Sequence, residues 1–332
     1  PDGFPQEIIN EFEKQEAMKV SIESMIKKAT SNKDETIYPY QSYIDIVYKQ
    51  IYNKTGLDPY TTPMEIYTYM DSALQSKIDK MQNEGKLVFN NDFQQFASTI
   101  INNSNGSIAA IFGGRNYKGQ KILNRAYDIL IQPASTIKVL LEYALAYEYL
   151  NWSNKETLLD VETTYPNTSQ VIKNVDNTYM GEISIADAIG YSRNTCAITT
   201  LKSIIDKIGV DGITNYLTSI NLMDKGDFSY SYGLGGYTYG VSVTNLAAAY
   251  SMIARNGVYI EPLAVKSIKL LDGSERVINF TPSQKQVLSE TTCYLLTDVL
   301  KQVMDKNIWS IKDCKPNNVN VYAKSGTTSF DK

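Results

Sequence analysis

Histidine is missing from this 332-residue chain altogether. With it goes every Ser-His-Asp or Cys-His arrangement, so any serine chemistry here must take its base from a lysine or a carboxylate. Cysteine is nearly as scarce: Cys196, Cys293 and Cys314 stand far apart, without the paired spacing of a zinc site. That argues against both a disulfide framework and metal chemistry, and neither a metal nor a cofactor is expected. Long apolar runs are lacking too. None approaches the ~20 residues that span a bilayer, and the start Pro1-Asp2-Gly3-Phe4-Pro5 has neither the charged nor the apolar portion of a signal peptide. The chain is therefore expected to carry no anchor and no signal of its own. There is no surplus of positive charge, the formal net charge being −4, so nucleic acid is excluded as an expected partner.

What is present is an ordinary globular composition, 43% hydrophobic, enough for one large domain and a smaller one. Residues 1–95 read as a small linker module. In it an amphipathic helix is expected over 6–30, a second helix with Ile44, Val47 and Ile51 on one side, a strand over 65–70 and a helix over 72–82. Residues 96–332 form the main domain. Strands are expected over 107–112 and 121–127, then a helix over 135–150 that is apolar on nearly every side and hence surrounded by protein. More helices follow to about residue 260. Val319, Val321 and Ala323 alternate with polar neighbours, the period-two signature of a strand over 319–324 with one buried face. Strands at both ends with helices between predict an α+β fold: a mostly antiparallel sheet flanked by helices, with an inserted all-helical subdomain.

Three short motifs carry chemistry. In Ser135-Thr136-Ile137-Lys138 the serine opens the buried helix and the lysine follows three residues later on the same face, so the two can touch. Burial in an apolar helix disfavours the charged amine, which lets a neutral Lys138 take the Ser135 proton. Ser192-Arg193-Asn194 opens a further helical stretch, where serine and asparagine alternatively serve as caps; functionally, Ser192 relays a proton and the Asn194 amide holds a peptide backbone. Lys324-Ser325-Gly326-Thr327 ends the alternating strand, where glycine permits close approach of a ligand to the backbone. Each pattern has decoys: Ser24/Lys27 and Ser329/Lys332 for the first, Ser219/Asn221 for the second, Lys54-Thr55-Gly56 for the third. The ordered set discriminates, because Ser-x-x-Lys, Ser-x-Asn and a Lys-Thr-Gly-like strand end together form the signature of class A β-lactamases and penicillin-binding proteins.

Beyond these motifs, Ile66 to Gln75, Asn124-Arg125-Ala126 ahead of Gln132-Pro133-Ala134, Gly233-Leu234-Gly235, Thr244 to Tyr250 and Ala254-Arg255-Asn256-Gly257 make the chain resemble class A penicillin-binding proteins over most of its length. Ser325 stands where threonine is commoner. The resemblance implies a penicilloyl serine transferase (β-lactamase-like) fold and a serine D,D-transpeptidase cross-linking peptidoglycan stem peptides. Ser135 would be the nucleophile, Lys138 the base and Ser192 the proton relay. Asn194 would position the amide, and Lys324, Ser325, Gly326 and Thr327 would bind the substrate carboxylate. Its partners would be a D-Ala-D-Ala donor, an amine acceptor and β-lactam antibiotics. The family's preceding glycosyltransferase module looks absent, and the intact protein would be membrane-anchored and extracytoplasmic. The alternatives are a serine β-lactamase or D,D-carboxypeptidase, for which Glu261-Pro262-Leu263 only superficially resembles a deacylating loop, and a non-catalytic β-lactam sensor.

The resemblance also implies strands beyond Lys332 that lie between residues 319–324 and the strands near Ser107 and Lys121. Unpaired sheet edges over an apolar core are costly. A companion polypeptide or continuation carrying those strands is therefore expected. Intact mass spectrometry of the isolated protein should detect it, and a lone 332-residue species with 319–324 paired directly to 107–112 would overturn the expectation.

Overall fold

A computed structural model describes residues 36–223, 226–306 and 316–328. In chain order its elements begin with α1 (Gln41–Thr55), β1 (Met64–Thr68), α2 (Ser72–Asn83), β2 (Ser98–Ile101) and β3 (Ile108–Phe112). A 3₁₀ turn (Ala134–Thr136), a π-helical segment (Val139–Tyr143) and α3 (Ala144–Tyr149) follow. Next come β4 (Thr157–Asp160), β5 (Gly181–Ser184), α4 (Ile185–Gly190), α5 (Asn194–Ser219) and a 3₁₀ segment (Tyr230–Leu234). The chain continues with α6 (Val243–Ile253), β6 (Val258–Ile260), β7 (Val265–Leu270), β8 (Val277–Asn279), β9 (Gln284–Gln286) and α7 (Glu290–Asp305). The fold is α+β. The expected helix over 6–30, Cys314 and the decoys at Ser24/Lys27 and Ser329/Lys332 lie outside the described residues. Among the described residues no helix is long and apolar enough to cross a membrane.

The chain divides into two compact units. The first comprises residues 1–131, 242–251 and 260–284. In it β7 pairs antiparallel with both β1 and β8, and β2 pairs antiparallel with β3. Every residue of β3 is buried, and side chains satisfy the backbone that its single ladder leaves free. Gln75 on α2 accepts from the Ile111 N–H and donates to the Ile111 carbonyl, both at 2.9 Å. The Tyr43 hydroxyl on α1 donates to the Ile108 carbonyl at 2.7 Å. One side-chain amide and one hydroxyl, with the Asp71 N–H donating to the Ala109 carbonyl and the Leu263 carbonyl accepting from the Ile108 N–H, thus stand in for a neighbouring strand. Tyr43, Ile46, Val47 and Ile51 of α1 join Ile108, Ile111, Val265 and Ile268 in one core. Ile44 departs from expectation: it is 39% exposed, because the buried stripe of α1 runs through positions 43, 46, 47, 50 and 51.

Residues 121–124 are irregular and 125–127 lie in a turn, in place of the expected strand. The Lys121 and Ile122 N–H groups donate to the buried Asp45 carboxylate at 2.9 and 3.2 Å, and the Tyr127 and Asp128 N–H groups turn back onto the Asn124 carbonyl. Backbone donors committed to a side chain and to local turns cannot join a ladder.

The second unit comprises residues 132–241, 252–259 and 285–332. The helix expected over 135–150 is present but composite: 3₁₀, then π, then α. Val139, Leu140, Leu141, Ala144 and Leu145 are fully buried, with α3 packed on α5 and α7. The helical part also carries a β4–β5 antiparallel hairpin. Residues 319–324 form no strand. Val319 is 52% exposed, and the alternation of side chains there meets no hydrogen-bonding neighbour among the described residues; period two sets which side chains share a face but supplies no ladder. Replacing Ile111, fully buried in the first unit, by alanine should lower stability by about 2–5 kcal/mol, read as a lower urea midpoint at unchanged m-value.

Candidate active site

The first motif is held by unusual backbone. Ala134, next to Ser135, has φ 49°, and Ser192 has φ 56°. Left-handed conformations at non-glycine residues cost about 1–3 kcal/mol each and persist where packing over-determines them. At Ala134 the packing partner is Gly235 (φ 79°), so close that a Cβ there would overlap the Ala134 backbone. Gln132 donates to the Tyr237 carbonyl at 3.1 Å. Gly326 also comes close: a Cβ on it would stand 3.1 Å from the Pro133 carbonyl oxygen and the Thr136 nitrogen. Two glycine-containing segments thus pack closely on the turn bearing Ser135.

Lys138 ends this turn, fully buried. Its amine donates to the Ser192 carbonyl at 2.9 Å, the Ser192 Oγ at 3.4 Å and the Asn194 Oδ1 at 2.6 Å. Lys324 donates to the same Ser192 Oγ at 3.0 Å and to the Ser325 carbonyl at 2.7 Å. One hydroxyl therefore bridges the lysines of the first and third motifs. The direct Lys138–Ser135 hydrogen bond expected from the sequence is not among the lysine's bonds, because its three N–H donors are taken by the second motif. Ser135 is partly exposed, as are Ser192 and Asn194, while Ser325, Gly326 and Thr327 lie open to solvent. Neither Ser192 nor Asn194 is the N-cap of α5, a position held by Arg193 without a side-chain cap bond; Ser192 instead closes the C-terminus of α4 in a left-handed conformation, its N–H donating to the Ile189 carbonyl at 3.1 Å and that of Arg193 to the Ala188 carbonyl at 2.9 Å. The decoy Asn221 lies elsewhere, bonded to the Tyr259 hydroxyl.

Burial pushes the Lys138 amine down to about 7, helped by the Lys324 charge, with Glu142 and Cys196 opposing. Burial also lowers Lys324, to about 8. At neutral pH a large fraction of Lys138 is then the free base while Lys324 stays mostly cationic. Glu142, on the π segment, is fully buried and neither carboxyl oxygen has a hydrogen-bond partner. Burial holds it well above the usual carboxylate range. Gly233 makes the room, since a Cβ there would overlap Glu142 Oε1. The π turn is supported from α5, where the Tyr216 hydroxyl donates to the Leu140 carbonyl at 2.7 Å.

A model of the penicillin binding protein transpeptidase domain matches residues 96–332. The chain belongs to the penicillin-binding protein transpeptidase family. Penicillin-binding protein 1A/1B of Bacillus subtilis is 33% identical over 92% of this chain and 32% of its own length. Penicillin-binding protein 1A of Streptococcus oralis is 31% identical over 80% of this chain and 42% of its own. The chain thus spans about a third to two fifths of these curated relatives. Among solved structures, penicillin-binding protein 1A of Haemophilus influenzae superposes with a TM-score of 0.67 at 16% identity, covering 87% of this chain and 62% of that one. PonA1 of Mycobacterium tuberculosis in complex with penicillin V gives 0.65 at 19% identity, covering 80% and 71%. These likenesses establish the penicilloyl serine transferase fold of this transpeptidase domain.

Sequence reading missed the groups that hold the second motif. Asp160, Asn174 and Asp176 come from the β4–β5 region, and Arg193 is the motif's own middle residue. The Asn194 N–H donates to Asn174 Oδ1 at 2.7 Å, and its Nδ2 to the Lys173 carbonyl at 2.7 Å. The available signal was an arginine inside a motif at the mouth of an apolar helix, which demands a buried counter-charge. In ¹⁵N-lysine NMR, Lys138 of this transpeptidase should titrate with a midpoint of about 7. Lys324→Ala should raise that midpoint by removing a like charge. A midpoint in the ordinary lysine range would contradict the burial described.

Proposed function

We propose that this domain is a serine D,D-transpeptidase in which Ser135 attacks the penultimate D-alanine carbonyl of a stem peptide. The attack expels the terminal D-alanine and leaves an acyl-enzyme that an acceptor amine resolves. The observation that carries the reading is the buried Lys138 amine, one turn from Ser135, sharing the Ser192 hydroxyl with Lys324. As a free base, Lys138 takes the Ser135 proton. Ser192 Oγ accepts from both lysines, so its own O–H is left to donate to the leaving nitrogen, and the Lys138 proton refills it. Lys324 keeps its charge below about 8 and attracts the substrate carboxylate, which the Ser325 and Thr327 hydroxyls hold with Gly326 allowing close approach. The Asn194 amide positions the peptide, and the backbone N–H groups of Ser135 and Thr327 receive the oxyanion.

β-Lactams would acylate Ser135 as mimics of the donor, as the penicillin V complex of the structural neighbour suggests. The alternative of rapid deacylation needs a carboxylate free to activate water. Glu261 instead accepts from both the N–H and the hydroxyl of Ser283, each at 3.1 Å. In the intact protein the domain would face the outside of the cytoplasmic membrane and act on peptidoglycan. Incubation with penicillin followed by intact mass spectrometry and peptide mapping should find one adduct per chain at Ser135, lost in Ser135→Ala and persisting for many minutes. An adduct at another serine would refute the assignment, and multiple rapid turnovers of a chromogenic cephalosporin would make the domain a β-lactamase.

A further inference from the structure

Arg193 places a positive charge directly behind the candidate catalytic lysine, and its guanidinium is 1% exposed. A buried cation is tolerated only when paired and fully hydrogen-bonded. Its Nε donates to Asp160 at 2.7 Å, one terminal nitrogen to Asp176 at 2.8 Å and the other to the Thr178 carbonyl. Asp160 is completely buried and takes three more donors: the Met180 N–H at 2.8 Å, Asn174 Nδ2 at 2.8 Å and the Thr195 hydroxyl. Asn174 passes the constraint on, because its Oδ1 receives the Asn194 N–H at 2.7 Å. Two acids from the β4–β5 region therefore fix Arg193 and Thr195 directly and Asn194 through Asn174, holding the Ser192-Arg193-Asn194 motif whose carbonyl, hydroxyl and amide oxygen surround Lys138.

We propose that Asp160, with Asp176, is a positioning group for acyl transfer: it clamps Arg193 and Asn174 so that Ser192 and Asn194 face the Lys138 amine, and it cancels the guanidinium charge behind that amine. The inference rests on the reading of Ser135 as the acylated serine. The other charged or titratable groups facing Lys138 are Lys324 from the third motif, Glu142 from its own helix and the Cys196 thiol from α5. Both acids are suited to the task. Burial alone would raise Asp160, but the Thr195, Met180 and Asn174 hydrogen bonds and the Arg193 charge outweigh it and hold the carboxyl below its usual range. Asp176 is likewise held low, burial being outweighed by the Thr178 and Arg193 contacts. Both are anionic at neutral pH, so the arginine is neutralised throughout the range in which Lys138 titrates.

The test uses the whole chain, its Asp176→Asn and Arg193→Met variants and, where it folds, Asp160→Asn. The Lys138 midpoint is read by ¹⁵N-lysine NMR and the saturating rate of Ser135 acylation by fluorescent penicillin. Asp176 is 37% exposed, so its variant is the one least liable to unfold. Removing an acid while keeping the arginine should move the Lys138 midpoint down by about half a unit or more, and the acid limb of acylation with it. Arg193→Met should move the midpoint up, and all variants should acylate more slowly at saturation. A midpoint unchanged or moved upward in Asp176→Asn overturns the proposal, as does a downward movement in Arg193→Met. Absence of any Ser135 adduct in the unsubstituted chain would instead refute the functional reading, while the NMR midpoints would still decide the electrostatic part.

Discussion

A lysine amine removed from water is the constraint on which this site depends. An ammonium at the Lys138 position would ordinarily keep its proton, and an amine that keeps its proton is no base. Complete burial of the Lys138 side chain removes the hydration that stabilises the charged form, and Lys324 adds repulsion. The same enclosure requires the N–H groups of the amine to find acceptors, and the second motif supplies them in the Ser192 carbonyl, the Ser192 hydroxyl and the Asn194 amide oxygen. The placement of Ser192 and Asn194 is thus a consequence of burying Lys138 as much as a separate catalytic device.

Several departures from regular backbone lie in the segments that carry these groups. Ser192 adopts a left-handed conformation in the structure where both its carbonyl and its hydroxyl reach one amine. Ala134 does so where the chain enters the turn bearing Ser135, packed on Gly235 with no space for a side chain. The π turn after Lys138 leaves a carbonyl at Leu140 that Tyr216 satisfies from α5. Strained conformations concentrate where surrounding packing has no alternative, and here that packing comes from glycines 233, 235 and 326, each of which would clash with or crowd the turn or its helix if it carried a Cβ. Glu142 extends the pattern: its carboxyl has no partner in the interior, and burial holds it well above the usual carboxylate range.

The first unit solves a different problem, that of a short, wholly buried hairpin. β3 has one antiparallel neighbour, β2, and the rest of its backbone is bonded by the side chains of Gln75, Ser42 and Tyr43 together with the Asp71 N–H and the Leu263 carbonyl. Asp45 does the same for the irregular backbone at Lys121 and Ile122. Polar side chains on helices therefore act as surrogate strands, which allows α1 and α2 to pack directly on β3 without leaving buried donors unpaired.

Local pattern by itself determined much of this protein. The apolar run after Ser135 marked a buried helix, the absence of histidine left a lysine or a carboxylate as the available base, and the order of Ser135, Ser192 and Lys324 pointed to the penicillin-binding proteins and β-lactamases. A one-sided apolar pattern located α1 and a short apolar run β3, and the local sequence character also placed α2 and β1, because burial is written in consecutive side chains. Only the tertiary structure decided which partners each group meets. Lys324 bonds to a hydroxyl 132 residues away, and Arg193 to a carboxylate 33 residues away; neither separation leaves a periodic trace. The same reason explains the two failed strands. At Lys121–Ile122 the backbone donors were captured by Asp45, and at Val319–Ala323 an alternating sequence found no neighbouring ladder among the described residues. A side-chain pattern records which face is apolar, whereas a hydrogen bond requires a specific partner that the folded chain alone brings within reach.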